Sequence, residues 1–324
     1  MNTIPCHPAR PVPKNERVSS IHFAVLFRVL RASLSTLTLL LVVTSSPNTK
    51  AASTQIADEP IFLHDKLINS KALRAGESLI NANRYTPGKE LRAQLDRRKC
   101  TVDLPDPSSL SLDSIALVQK RRPGTLVVSA LYKCNKCTKW HTGNATGVAL
   151  TKDGVFATCH HVIANTNREA FVIMTLDGRT APVVEVLAAD EKYDVAICRA
   201  VGIELEPVPL ASKNQPVGTP VSVISHPTGS FYTFTAGHIS RYFFKPISKT
   251  RSVPFMAITA EFAKGSSGAP VFDPSGNVTG LVSSTRSIYY RDTPKDGQQN
   301  LQMVLRQCVP VSAIRRLIIG KEAN

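Results

Sequence analysis

Three short stretches hold residues whose types and spacing could activate a hydroxyl. Two adjacent histidines, His160 and His161, end a strand-like run in GVFATCHHVIAN, residues 154–165. Thirty-three residues after the second, Asp194 opens the apolar stretch DVAICRA, and seventy-three further on Ser267 sits in GSSGAP. A serine hydroxyl is inert at neutral pH until a base takes its proton. An imidazole does this best when a carboxylate fixes its tautomer. Alone, each stretch has an ordinary reading, since glycine–serine clusters are common turn material and a histidine at a strand end is usually structural. Together they give a base, an orienting acid and a nucleophile, each at the edge of an apolar run.

The elements that must position them are strands. From about residue 115 short runs rich in Val, Ile, Thr and Phe recur between Gly, Pro, Asn and Asp. Examples are residues 125–132, 146–150, 171–176, 183–189, 194–201, 220–225, 254–259 and 278–284. Many short strands at this spacing predict an all-β sandwich or barrel rather than a βαβ fold. The chain closes with PVSAIRRLII, residues 310–319, whose opening proline and apolar spacing predict a helix with one buried face. Residues 61–73 and 76–84 have weak helical spacing, and residues 104–114 read as a linker. The segment 53–112 carries no chemical motif and reads as a pro-segment, an extension or a packing arm.

Residues 113–319 resemble a chymotrypsin-fold, trypsin-like serine peptidase, closest in texture to the bacterial HtrA/Deg type. The residues that carry the resemblance are TCHHV at 158–162, DVAI at 194–197, GSSGAP at 265–270 and PVSAIRRL at 310–317. The register selects His161 as the base, and Ala269 stands where the family has a second glycine. The resemblance implies two antiparallel β-barrels with a C-terminal helix and peptide-bond hydrolysis through an acyl-enzyme, with His161, Asp194 and Ser267 as catalytic residues. It also implies an oxyanion hole of backbone N–H groups from Gly265 and Ser267, with Ser266 as a further candidate. Residues 280–287 resemble the substrate-pairing strand, which makes Ser283 and Ser284 candidate pocket residues. Glu261 stands where trypsin keeps the acid at its pocket base, so a basic side chain at the cleavage site is one expectation, and a solvent-facing or internally paired Glu is the other. Ser266 replaces trypsin's activation acid, so activation through a freed N-terminus is expected to be absent. The alternative reading is a catalytically silent barrel protein that binds peptides without cutting them.

Composition sets the class of partner. The 324 residues are 43% hydrophobic and 19% charged, which is globular, and the net charge of +15 is spread along the chain. No basic block is interleaved with aromatics, so nucleic acid is not an expected partner; protein or peptide substrates are, with no cofactor. Arg28 and Arg31 precede the apolar run 32–43, and small residues follow to a plausible cut near Ala51 or Ala52. That order predicts a signal segment over 1–52, an extension over 53–112 and a peptidase domain over 113–320. The expected location is periplasmic or secreted, with no stable membrane span after leader removal and with membrane anchoring if the leader stays. The sequence gives no signal for oligomeric state.

Seven cysteines are present: Cys6, Cys100, Cys134, Cys137, Cys159, Cys198 and Cys308. Loss of the leader leaves six, which allow 15 disulfide pairings. Cys159 and Cys198 lie in apolar runs and read equally as buried thiols. The run CNKCTKWH, residues 134–141, joins Cys134, Cys137 and His141. It reads as a local disulfide or reduced cysteines in a loop, as half of a zinc site with Cys100 as a conceivable fourth ligand, or as a redox dithiol, with the disulfide the leading expectation.

Overall fold

The computed structural model describes residues 60–293 and 297–320. The expected signal segment lies outside the described residues. The chain enters through α1 (Asp65–Asn81), one continuous helix where the spacing gave two weak ones, then α2 (Gly88–Arg92), the two-residue strand β1 (Cys100–Thr101) and α3 (Ser114–Arg121). Asp113 caps α3 by accepting from the Ala116 N–H at 2.8 Å, which satisfies one of the first-turn donors that no helix can pair internally.

Twelve strands follow in two sets of six. The first set is β2 (Thr125–Lys133), β3 (Trp140–Ala149), β4 (Val155–Thr158), β5 (Ala170–Met174), β6 (Thr180–Asp190) and β7 (Val195–Ala200), with the one-turn helix α4 (His160–Ala164) between β4 and β5. The second set is β8 (Pro220–Ser225), β9 (Thr233–Pro246), β10 (Ser252–Ile258), β11 (Pro270–Phe272), β12 (Val278–Thr293) and β13 (Gly297–Pro310). Each set closes on itself as an antiparallel barrel, in the orders β2-β3-β4-β7-β6-β5 and β8-β9-β10-β13-β12-β11. Closure leaves no strand edge unpaired at the barrel waist. The expected all-β architecture of two antiparallel barrels is therefore the observed one.

The core follows from the strand composition. Leu126, Phe156, Phe171 and Ile173 are fully or almost fully buried in the first barrel, and Val223, Met256, Val271 and Cys308 in the second. A third apolar cluster, including Val148, Ile197, Ile224, Phe255 and Phe272, holds side chains of both barrels and joins them. Burying each such side chain contributes roughly 2 kcal/mol.

The C-terminal helix is shorter than its apolar spacing predicts. It spans α5 (Val311–Arg315), and the chain then extends into β14 (Ile318–Ile319), which pairs in parallel with β1. Competition from the unpaired backbone of Cys100 and Thr101 ends the helix after one turn. The extension packs on both barrels. From α1, Asn69 accepts from Thr142 and Asn144 of β3, and Asp65 accepts from the Phe231 N–H ahead of β9.

Candidate active site

Local geometry around the serine follows from two glycines. The Ser266 N–H donates to Ala263 O at 3.0 Å, and the Ala269 N–H donates to Ser266 O at 2.9 Å. These are consecutive four-residue turns, and their third positions are Gly265, with φ +99°, and Gly268, with φ +83°. A positive φ at that position is the type II pattern, which glycine fills without steric cost. A Cβ on Gly268 would lie 2.2 Å from Thr146 O, so glycine is required there for space as well. Ala269, by contrast, has no positive φ and packs fully buried in the second barrel. The missing second family glycine therefore costs the turn nothing.

The turn is held from both sides. Thr146 Oγ1 donates to Gly265 O at 2.9 Å, the Thr146 N–H to Ser267 O at 2.9 Å, and the Thr228 N–H to Lys264 O at 2.7 Å. Because a trans peptide points its C=O and N–H in opposite directions, the last bond turns the Gly265 N–H away from Thr228. Among the described residues the N–H groups of Gly265 and Ser267 meet no acceptor. Ser266 is different. Its N–H is committed to Ala263 O, which removes it from the expected oxyanion donors. Its side chain is fully buried, donating to Ser225 Oγ at 3.0 Å.

The structure brings His161, Asp194 and Ser267 together from three separate elements. His161 Nε2 lies 2.9 Å from Ser267 Oγ, and its Nδ1 lies 2.9 Å from both Asp194 oxygens. The His161 backbone N–H also donates to Asp194 Oδ1 at 3.0 Å. Bonding at Nδ1 to a carboxylate fixes the tautomer that leaves Nε2 facing the serine. The first turn of α4 presents the imidazole, and Asp194 is held with φ +58° at the mouth of β7. His160 is half-buried, and desolvation lowers its pKa; it takes no part in these bonds.

Ser283 has a role that its sequence position did not suggest. The β12–β13 register slips between Val282 and Ser284, so Ser283 occupies a bulge. Bulges re-aim side chains, and here the Ser283 hydroxyl donates to Asp194 Oδ2 at 2.6 Å. Burial pushes the Asp194 pKa up, but the hydrogen bonds from His161 and Ser283 and the attraction of His161 outweigh it and hold the carboxyl below its ordinary range. Ser283 therefore holds the carboxylate of Asp194 and, as expected from its position, also lines the depression beside it. Ser284 bonds Gln307 at 3.2 Å and borders a depression of about 940 Å³ with His161, Lys192, Lys245 and Ile247. On the other side of Ser267 a second hollow of about 500 Å³ is lined by Tyr132, Thr142, Arg168, Thr228 and Lys264.

Glu261 does not stand at a pocket base. Its side chain is 78% exposed and pairs with Arg306 at 2.7 Å. The solvent-facing, internally paired reading is the correct one.

Cysteine geometry also departs from the leading expectation. All six described cysteines are free thiols, and burial raises the pKa values of Cys159, Cys198 and Cys308. Cys134 and Cys137 approach to 3.5 Å without a bond. Cys100 lies in β1, its thiol donating to Leu317 O at 3.5 Å, and is absent from their cluster.

Residues 145–281 match the family model described as a trypsin-like peptidase domain. Over 145 residues the chain is 30% identical to a protein of Hahella chejuensis named "Probable periplasmic serine endoprotease DegP-like". It is 31% identical over the same length to a protein of that name from Pseudomonas fulva. These alignments take in 44% of this chain, which spans only 30% and 29% of the length of the two relatives. A solved HtrA-type protease with a tripeptide matches at a TM-score of 0.49 and 18% identity, over 63% of this chain and 61% of that one. Over residues 145–281 the chain is similar to trypsin-like peptidase domains, and over 145 residues to DegP-like serine endoproteases.

Proposed function

We propose that the chain is a serine endopeptidase whose hydrolytic domain spans 113–320 and that it works outside the cytoplasm. The observation that carries this reading is the unbroken hydrogen-bonded path from Asp194 through His161 to Ser267, at 2.9 Å per step. His161 takes the Ser267 proton as Oγ attacks a peptide carbonyl, forming the Oγ–C bond. Asp194 stabilises the imidazolium that results. The free N–H groups of Gly265 and Ser267 receive the developing oxyanion, a contribution worth roughly 3 kcal/mol per donor. His161 then returns the proton to the departing amine, and a water repeats the sequence in reverse to release the acyl group.

Substrate lies along β12. Its edge is paired through Val282, whose N–H donates to Ala269 O and whose C=O accepts from the Gly268 N–H, both at 2.8 Å; beyond Val282 that edge has no β11 partner, and an extended peptide completes such an edge by strand addition. Lys192 and Lys245 on one side of Ser267, with Arg168 and Lys264 on the other, give the cleft a basic border. The extracytoplasmic assignment rests on the basic–apolar–small order of residues 28–52 and on the word periplasmic in the names of the relatives. Among the described residues no helix is long and apolar enough to cross a membrane.

A fluorophosphonate probe tests the reading. The protein is expected to label stoichiometrically, and the Ser267→Ala variant not at all. Equal labelling of the two would remove Ser267 as nucleophile and with it the peptidase assignment.

A further inference from the structure

The hairpin that joins β2 to β3 ends in a cluster that peptide hydrolysis does not use. Cys134 Sγ lies 3.5 Å from Cys137 Sγ, and Cys137 Sγ lies 3.1 Å from His141 Nε2. All three donor atoms fall within 4.8 Å of one another. A tetrahedral zinc ion bonded at about 2.3 Å to sulfur and about 2.0 Å to nitrogen separates such atoms by about 3.5–3.8 Å. The three atoms already stand close to the corners of one tetrahedral face. A disulfide would require the sulfurs to close to about 2.0 Å.

The strands enforce this arrangement. Cys134 follows the last residue of β2, and the ladder pairs Lys133 with Trp140 and Tyr132 with His141. His141 is thereby set opposite the strand that delivers Cys134. Its ring leans on Tyr132, with centroids 5.5 Å apart, which leaves Nε2 facing Cys137. The Cys-x-x-Cys turn between the strands is short enough to return the second sulfur to the first.

We propose that the hairpin tip binds one zinc ion through Cys134 Sγ, Cys137 Sγ and His141 Nε2, with the fourth position open to water or to an incoming ligand. Two soft sulfurs and an imidazole select zinc over magnesium or calcium. Binding releases both thiol protons to solvent, and Lys133, Lys136 and Lys139 offset the thiolate charge. The ion has a structural task. Tyr132 and Thr142, which flank the ligands along β2 and β3, line the hollow beside Ser267, so a pinned tip stiffens one wall of the cleft.

The experiment measures metal in the full chain, purified under reducing conditions with zinc and then desalted. About one zinc per chain is expected, with content falling about ten-fold or more in Cys134→Ser and in Cys137→Ser, and unchanged in Ser267→Ala. Co2+ added to the metal-free protein should give the visible d–d bands of a tetrahedral site together with sulfur-to-metal charge transfer. It should also shield Cys134 and Cys137, but not Cys100, from alkylation, a readout on the unmutated chain that stands even if a variant fails to fold. Metal content far below one per chain, or content that the two serine variants leave unchanged, overturns the proposal. So does alkylation at equal rates with and without metal. None of these readouts uses peptidase activity, so the metal site and the peptidase reading stand or fall separately.

Discussion

The two barrels repeat one connectivity and put it to different uses. Numbered within itself, each runs 1-2-3-6-5-4 around its circumference. In each, the link from third to fourth strand reaches the shared cleft. In the first barrel that link is α4 and carries His161; in the second it is the double turn and carries Ser267. On the proposed reading, the difference between helix and turn follows the chemistry. A general base must present a side chain, which one helical turn does. A nucleophile turn must also present backbone N–H groups, which takes positive-φ glycines at positions 265 and 268. Repeated topology brings the partners together, and the local backbone separates their roles.

If the two links form one machine, damage to either should be as costly as damage to both. His161→Ala and Ser267→Ala are each expected to lower kcat by about 10⁵–10⁶, and the double variant to lose no more. Steady-state kinetics on any peptide that the intact protein cleaves provides the check. Losses that multiply in the double variant would mean that the two links act independently.

A smaller effect is expected from the support that the second barrel lends to the first. Ser283→Ala removes a charge-assisted hydrogen bond from Asp194, which should cost about ten-fold to a hundred-fold in kcat. Because that bond favours the ionised carboxyl, its loss raises the Asp194 pKa. The acid limb of the kcat/KM profile should therefore move to higher pH, while Ser283→Thr keeps it in place. An unmoved limb in Ser283→Ala would leave the 2.6 Å contact without mechanistic consequence.

What was legible in the sequence divides along the same line. Strands buried on both faces, such as β2, β4, β5 and β7, announce themselves as apolar runs, and the ends of β4 and β7 locate His161 and Asp194. Strands β9 and β13 carry no such signal, because long stretches of them are solvated and read as polar. The Ser283 contact was hidden for another reason: a register slip is set by pairing between strands distant in sequence, and no local pattern encodes it. The C-terminal helix is legible, but its length is not, because the apolar residues of 316–319 serve a helical face and a strand equally well. Only the partner β1, over two hundred residues earlier, decides between them. The Cys-x-x-Cys run was visible, but its geometry depends on the Tyr132–His141 pairing across the hairpin.

The link from first to second strand offers a further contrast. In the first barrel it is the exposed cysteine tip. In the second it contains His226, fully buried, whose Nδ1 accepts the Tyr232 N–H at 3.0 Å. Desolvation holds the His226 pKa down to about 4, whereas the unfolded value is near 6.5. Between those values the unfolded chain binds a proton that the folded chain refuses, so stability falls as pH drops through this window and is flat above it. His226→Asn should remove about 1 kcal/mol per pH unit of that slope. Urea denaturation at pH 7 and pH 5 measures it, and an unchanged slope would mean that His226 is not the residue that titrates.

The smallest effect separates this cleft from a trypsin-like one. An acid six residues before the nucleophile suggests a pocket for Lys or Arg, yet Glu261 spends its charge on Arg306 and faces solvent. An exposed pair of this kind contributes about 0–1 kcal/mol, and a carboxylate already neutralised has little field left for a substrate cation. Glu261→Gln should therefore change the ratio of basic to apolar cleavage by less than about five-fold. Arg306→Ala is the informative partner experiment: it frees the carboxylate, and because Glu261 faces solvent the ratio should again change by less than about five-fold. If Glu261→Gln instead abolished basic cleavage, the carboxylate would have to leave Arg306 for the substrate on binding, and the pairing at 2.7 Å would mark the resting state alone.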